Sequence, residues 1–167
     1  MMPAPRTYSI CDKFGMHARF LSSVGHYNTH HRFEGLVLPL RPEGGRQELN
    51  IILKRDSKDL VVVIDGTHHG NYAVFGATEA ASACTGGARA VIVIGLVAQV
   101  ANLQAEEIPI MARGTTPRLI PAKEGTATAT AVDSECGWIT REQYIVGDTD
   151  GAVMVDREIY QGRNPIK

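Results

Sequence analysis

The sequence predicts an α/β domain with a central βαβαβ unit and a second, largely antiparallel sheet. Three observations point there. Residues 60–64, 90–94 and 108–112 are unbroken apolar runs, the pattern of strands covered on both faces of a parallel sheet. Between them, small residues recur at helical spacing: Ala73, Ala77, Ala80, Ala81 and Cys84 before a Gly86-Gly87 stop, then Val97, Val100, Ala101 and Leu103. After Gly114 the chain turns to short β-type segments, with the turn residues 147–151 before the last of them. In a βαβ unit, ligands sit at the carboxyl ends of the strands, beside the helix N-termini. Those places are residues 65–75 and 95–99, and chemistry is sought there first.

The other elements follow in chain order. Residues 1–32 are the least regular, opening loosely at Pro3 and Pro5. A helix is expected over 10–21, with Ile10, Phe14, His17 and Leu21 on one side, although Gly15 weakens it. Residues 22–32, with Gly25, Asn28 and three histidines, read as a loop. A strand over 33–40 is closed by Pro39 and Pro42, and 43–45 is a turn. Leu49, Ile52 and Leu53 favour a short helix over 47–55. Thr115-Thr116-Pro117 is a break, and alternating Thr and Ala over 126–132 fits a strand with one small, buried face. Residues 138–140, 143–146 and 152–155 are further β segments.

Composition bounds the function. A chain of 167 residues is read as one domain, 1–167, long enough to bury a proper core. A formal net charge of −1 gives no pull towards nucleic acid or an anionic membrane. No apolar run spans a bilayer and the N-terminus lacks a signal pattern. Cys11, Cys84 and Cys136 are widely spaced with no CxxC, which suits a reducing cytoplasm rather than a disulfide framework or structural zinc. There is no GxGxxG, GxxxxGK[ST] or HExxH, so dinucleotide, P-loop and zincin chemistry has no motif behind it.

Several segments, in this order and spacing, resemble the RraA-like family, which includes the regulator of ribonuclease E activity A and the 4-hydroxy-4-methyl-2-oxoglutarate aldolases. They are the run 60–66, Ala73-Val74-Phe75-Gly76 opening a small-residue helix, 95–103, 112–118 and 147–155. The opening 7–12 is similar to the regulator branch. The resemblance implies a swivelling β/β/α domain and a ring-shaped homotrimer with sites at subunit boundaries. It also locates a departure. In the aldolases the segment after the second strand reads Gly-x-x-Arg-Asp, the arginine holding the oxo-acid carboxylate and the aspartate a divalent metal through water. Ala98 and Gln99 stand in those places. Alanine cannot pair with a carboxylate, and a neutral amide is a poor sole anchor for a hard cation. Metal-dependent aldolase chemistry is therefore expected to be absent, with no metal and no cofactor. The regulator branch shares the glutamine but tends to keep the arginine. A C-terminal helix common in the aldolases is not expected after Val155.

The loop after the first strand carries the other candidate chemistry. Asp65, His68, His69 and Tyr72 lie beside a helix N-terminus and are residue types that acid/base sites use. Backbone amides at Gly76, Ala77 and Thr78 are placed to receive an anionic or carbonyl oxygen, with Ala98 and Gln99 facing the same end. One expectation is a metal-independent lyase, isomerase or cyclase acting on a small molecule, with Asp65, His68, His69 and Tyr72 as catalytic groups. The alternative is a non-catalytic trimer that binds a protein partner such as a ribonuclease. The histidine pair favours the enzyme. The lost Arg-Asp pair, the missing terminal helix and the Cys11-Asp12 opening favour the regulator, and of the two the enzyme is the expectation preferred. A plain solvated polar loop is the structural alternative for the histidines.

Elsewhere the structural reading is preferred. His26, His30 and His31 read as loop residues, and Asp148 and Asp150 as turn formers bonding their own backbone. Arg113 and Arg118 are assigned a structural or trimer-contact role, and Cys84 a place in the core.

Overall fold

The computed structural model describes residues 6–163; Pro3 and Pro5 lie outside that range. In chain order the elements are α1 (Thr7–Phe14), β1 (Arg19–Phe20), β2 (Gly25–His26), β3 (Phe33–Glu43), α2 (Gln47–Asp56), β4 (Val61–Asp65), β5 (Ala73–Phe75), α3 (Ala77–Gly86), β6 (Ala90–Val97) and α4 (Val100–Gln104). They continue as β7 (Ile110–Thr115), β8 (Thr126–Thr128), β9 (Ala131–Ser134), β10 (Gly137–Thr140), β11 (Gln143–Asp148), β12 (Gly151–Asp156) and α5 (Arg157–Arg163).

One curled, mixed sheet runs β1-β12-β11-β3-β4-β6-β7-β2, with β5 paired to β6 and β8 to β3. Its middle, β3-β4-β6-β7, is parallel, as the apolar runs predict. The antiparallel strands β11 and β12 join that sheet through β3, and the separate antiparallel sheet is the small β9–β10 pair.

Strand alternation explains why the central runs are apolar throughout. Val62, Ile64, Val91 and Val93 point to a layer containing Leu49, Ile52 and Leu53 of α2 and Ala80 and Ala83 of α3. Val61, Val63, Ala90, Ile92 and Ile94 point the other way, against Ile145, Ala152 and Met154 of the antiparallel part. A third cluster joins Ile10 and Phe14 of α1 to Val146, Val153, Val155 and Tyr160 on the outer side of β11 and β12. Burial of this kind is worth roughly 25 cal/mol per Å² of apolar surface, so both faces of β4 and β6 are anchored.

Several boundaries differ from the expectation. The N-terminal helix is Thr7–Phe14 rather than 10–21. It stops because Gly15 takes a left-handed φ of 54° and a short 3₁₀ turn, Gly15–His17, follows. Leu21 belongs to the core between the sheets, not to that helix face. β3 contains Pro39 and does not end at Leu40 but continues through Pro42 to Glu43. β11 pairs only with residues 33–36, so a proline further along costs that neighbour no hydrogen bond. Ala73 lies in β5 and Val97 in β6, so neither is helical. The buried face of α3 carries Glu79, Ala80, Ser82 and Ala83; Ala81 is exposed and Cys84 only half-buried. The stretch 126–132 is split between β8 and β9. A C-terminal helix, α5, is present after all. Among the described residues no helix is long and apolar enough to cross a membrane.

A polar network sits under this frame. Arg46 forms an ion pair with Glu79, which is fully buried, and Arg46 Nε donates to the Ile120 carbonyl at 2.7 Å. Asn50 donates to Glu79 Oε1 at 2.8 Å and accepts from Ser82 at 2.7 Å. Glu79 Oε2 accepts the Gly76 N–H at 2.9 Å. Every polar atom of the buried carboxylate is thereby partnered, which is the condition for a buried charge to persist. The network fixes the start of α3 against α2.

Candidate functional site

The carboxyl ends of β4 and β6 lie together, as the parallel pairing of Asp65 with Ile94 requires. Asp65 closes β4 and is 1% exposed. Its Oδ2 accepts from Arg41 Nε at 3.1 Å and Nη2 at 2.7 Å. Its Oδ1 accepts from the Thr67 amide at 3.0 Å and the Thr67 hydroxyl at 2.6 Å. Burial acts to raise the Asp65 pKa, but the Thr67 and Arg41 hydrogen bonds overcome it and hold the carboxyl below the ordinary range. Asp65, expected among the catalytic groups, thus anchors the loop, with both carboxylate oxygens taken up by Arg41 and Thr67. Arg41 also donates to the Asp133 carbonyl, tying β9 to the same point.

The loop itself is a 3₁₀ turn, Thr67–His69, closed by Gly70. His69 is half-buried, and its Nε2 lies 2.7 Å from the Pro42 carbonyl at the end of β3. A carbonyl only accepts, so Nε2 carries the proton and Nδ1 is left with the lone pair when the ring is neutral. His68 is exposed, and Tyr72 is 46% exposed. Of the four residues expected to be catalytic, Asp65 and His69 are held by the backbone and side chains of β3, while His68 and Tyr72 face solvent.

The amide end of α3 is also engaged. Gly76 is buried, and its N–H goes to Glu79. The Ala77 N–H donates to Gln99 Oε1 at 2.8 Å. Thr78 is exposed. Gln99 reaches this position from a left-handed backbone, φ 58° and ψ 46°, a conformation that costs a non-glycine residue energy. Gly76 makes room for it: a Cβ there would lie 2.6 Å from Gln99 Oε1. Ala98 is buried, and its amide bonds to the Phe75 carbonyl at 3.0 Å.

A divalent metal of the kind the aldolases use does not fit this donor set. Ala98 has no ligand atom, Gln99 Oε1 is a neutral oxygen already bonded to an amide, and both Asp65 oxygens are shared between Arg41 and Thr67.

Sequence reasoning missed Arg41, Arg46 and Asn50, because nothing local in the chain ties them to Asp65 or Glu79, and it missed Thr67 although an amide two residues after an aspartate is the spacing of a local side-chain turn. A signal for Glu79 did exist: it stands three residues after Gly76, the spacing at which an N3 carboxylate reaches back to a helix start. Away from this end, Asp148 is more than a turn former. It accepts from the Asp150 amide at 2.9 Å, as expected, and also from the Thr7 amide and hydroxyl, each at 2.8 Å, capping α1. Arg113 pairs with Glu135, and Cys84 donates to Glu106 at 3.3 Å, with burial pushing its thiol up to about 11.

Solved structures share the fold. The RNA-processing inhibitor RraA from Thermus thermophilis superposes with a TM-score of 0.78 at 20% identity, over 92% of this chain and 93% of that one. The S-adenosylmethionine:2-dimethylmenaquinone methyltransferase from Geobacillus kaustophilus HTA426 gives 0.80 at 22% identity, over 92% and 96%. Streptomyces coelicolor RraAS2, described as an unusual member of the RNase ES inhibitor RraA protein family, gives 0.77 at 19% identity, over 94% and 81%. No curated protein matches the sequence. The RraA-like family model, described as Aldolase/RraA, matches residues 7–154; that span takes in the parallel core, the His68-His69 loop and the Gln99 turn, and the chain belongs to the RraA-like family.

Proposed function

We propose that this chain is a non-catalytic, RraA-like regulator that works as a homotrimer in the cytoplasm and binds a protein partner. The observation that carries this reading is the 2.8 Å bond from the Ala77 amide to Gln99 Oε1. A site for an oxo-acid needs open donors at the start of α3 and a cation to hold the carboxylate. Here the chain's own amide oxygen takes the donor, and Ala98 supplies no charge. Binding a protein needs neither. The names of the Thermus and Streptomyces neighbours, an RNA-processing inhibitor and a relative of RNase ES inhibitors, give the partner class to try first.

The test pairs the purified protein with a ribonuclease of the RNase ES kind. Slowed RNA cleavage, with a complex whose mass holds three copies of this chain, is the expected result. Unchanged cleavage and no complex at micromolar protein would remove the reading.

One observation favours a second reading, a metal-independent lyase, isomerase or cyclase acting on a small molecule. The bond from His69 Nε2 to the Pro42 carbonyl fixes the ring and leaves Nδ1 of the neutral ring with its lone pair free to act as a base. His69, with His68 and Tyr72, would then move protons while Asp65 orders the loop and Gly76, Ala77, Thr78, Ala98 and Gln99 line the substrate. Under this reading His69→Ala lowers turnover of an accepted substrate by roughly a hundredfold or more. Turnover equal to wild type would rule it out.

A further inference from the structure

His26 holds a short segment in place. β2 lies at the edge of the sheet and pairs only with β7, through Gly25–Ala112 and His26–Met111. Beyond it, the Tyr27 amide donates to the Ile110 carbonyl at 2.9 Å and Asn28 Nδ2 to the Ile108 carbonyl at 2.6 Å. These ties run to β7 and to the chain just before it. His26 adds a tie to the antiparallel part of the sheet: its Nε2 lies 2.6 Å from the carbonyl of Asp148, the last residue of β11. A carbonyl only accepts, so Nε2 carries the proton of the neutral ring.

That arrangement suits the neutral ring alone. Nδ1 is buried and has no hydrogen-bond partner among the described residues. A second proton would place a charge and an N–H where nothing accepts it. The His31 ring packs on His26 with centroids 4.3 Å apart, so a charge on one imidazole meets a second titratable ring. His31 belongs to the same segment, its Nε2 lying 2.9 Å from the Asn28 carbonyl.

The groups that face His26 do not offset this. From the β11–β12 turn, the Asp148 carboxylate attracts a cation, but its oxygens already accept from the Thr7 amide and hydroxyl and the Asp150 amide, and Arg32 acts on it as well. Arg6, Arg32 and Asp150 line the hollow beside it. From β7, the paired residues Met111 and Ala112 are apolar, and the next, Arg113, is joined to Glu135. On the α4 side, Val100 and Gln104 are uncharged. Glu106 offers Asn28 its backbone carbonyl and turns its carboxylate to Cys84. Burial is the largest influence on the ring, and the net direction of its pKa is down.

We infer that His26 is an acid-sensitive latch: when its ring takes up a proton, the segment 25–31 lets go of the Asp148 turn and the β2–β7 pairing opens, while the parallel core stays folded. Opening returns the ring to water, where it binds a proton more readily. The open form therefore gains as pH falls below about 6.5. It bares the edge of β7, a row of backbone groups onto which another strand can pair. The latch needs neither a ribonuclease nor a substrate, so it stands or falls apart from the proposed function.

The test is amide hydrogen exchange of the whole protein by NMR at pH 7.5, 6.5 and 5.5, corrected for the pH dependence of intrinsic exchange. The Tyr27 amide reads the opening; the Val63 and Ile92 amides, in the middle of the sheet, read global unfolding. Tyr27 protection should fall roughly fivefold to tenfold between pH 7.5 and 5.5. At each pH it should stay roughly a hundredfold or more below that of Val63 and Ile92. His26→Gln keeps an N–H for the Asp148 carbonyl and does not titrate, so it should match wild type at pH 7.5 and lose the fall. Should that variant not fold, the nitrogen-15 shifts of the wild-type His26 ring still decide, because proton uptake at Nδ1 must accompany the loss of Tyr27 protection. Tyr27 protection equal to that of the core, a fall that persists in His26→Gln, or a His26 ring that gains its proton with Tyr27 protection unchanged would each overturn the inference.

Discussion

Gln99 Oε1 accepts a 2.8 Å hydrogen bond from the Ala77 amide, so a residue that follows β6 caps the helix that precedes it. The side chain that follows β6 thus makes an internal contact of the chain. Gln99 holds a left-handed backbone to make it, and Gly76 gives up a side chain to admit it.

Removing that contact should be measurable. Gln99→Ala strips a cap from α3 and should cost about 0.5–2 kcal/mol. Gly76→Ala places a Cβ 2.6 Å from Gln99 Oε1 and should displace the same oxygen. Because both changes break one bond, their effects should add to less than their sum in the double variant. Urea unfolding of the four proteins checks this; full additivity would mean that the cap carries no stability.

The two adjacent histidines should respond differently. His68 is exposed and bonds to nothing among the described residues, so His68→Ala should stay within about 0.5 kcal/mol of wild type. His69→Ala loses the bond to the Pro42 carbonyl and should cost about 0.5–1.5 kcal/mol. Thermal melts of both variants distinguish them, and equal melting points would remove the structural role given to His69.

The buried pair under α2 and α3 predicts a larger loss. Arg46→Met leaves Glu79 charged, buried and without its cation, a change that costs about 3–5 kcal/mol. Adding Glu79→Leu removes the stranded charge and should restore part of the loss, though the Gly76 amide then needs another partner. Denaturant midpoints that fall further in the double variant than in Arg46→Met would contradict the account.

A pH dependence follows from His26. Burial lowers its pKa, the Asp148 carbonyl bond opposes that, the His31 ring lowers it further, and the Asp148 carboxylate raises it; the net direction is below the ordinary value. A histidine that resists protonation when folded takes up protons on unfolding. Its contribution is therefore present above about pH 6.5 and is lost as pH falls through the lower folded value. Unfolding free energies measured between pH 7.5 and 5.5 should decline, and His26→Phe should flatten that slope. A variant that keeps the wild-type slope would assign the decline to another group.

Much of the architecture was legible in the chain. The runs at 60–64 and 90–94 suited strands covered on both faces, and β4, at 61–65, and β6 are such strands. Residues 47–55 carried apolar side chains at helical spacing and form α2. The segments that resemble the RraA-like family, and the Ala98-Gln99 departure within them, are local strings that no folding is needed to see. Element ends were less legible. Gly15 and the two prolines of β3 were read for their own propensities, and the pairing of their neighbours decided which propensity prevailed.

Residue types, spacing and family membership are written in the linear order of this chain, and they already said which side chains stand near the ends of β4 and β6. Which of those side chains are free was decided by the tertiary structure. Asp65 is spoken for by Arg41, 24 positions away, and the Ala77 amide by Gln99, 22 positions away. His26 meets the Asp148 carbonyl across 122 positions. A hydrogen bond depends on distance and direction to a few tenths of an ångström, and only the packed path of the backbone sets those between residues so far apart.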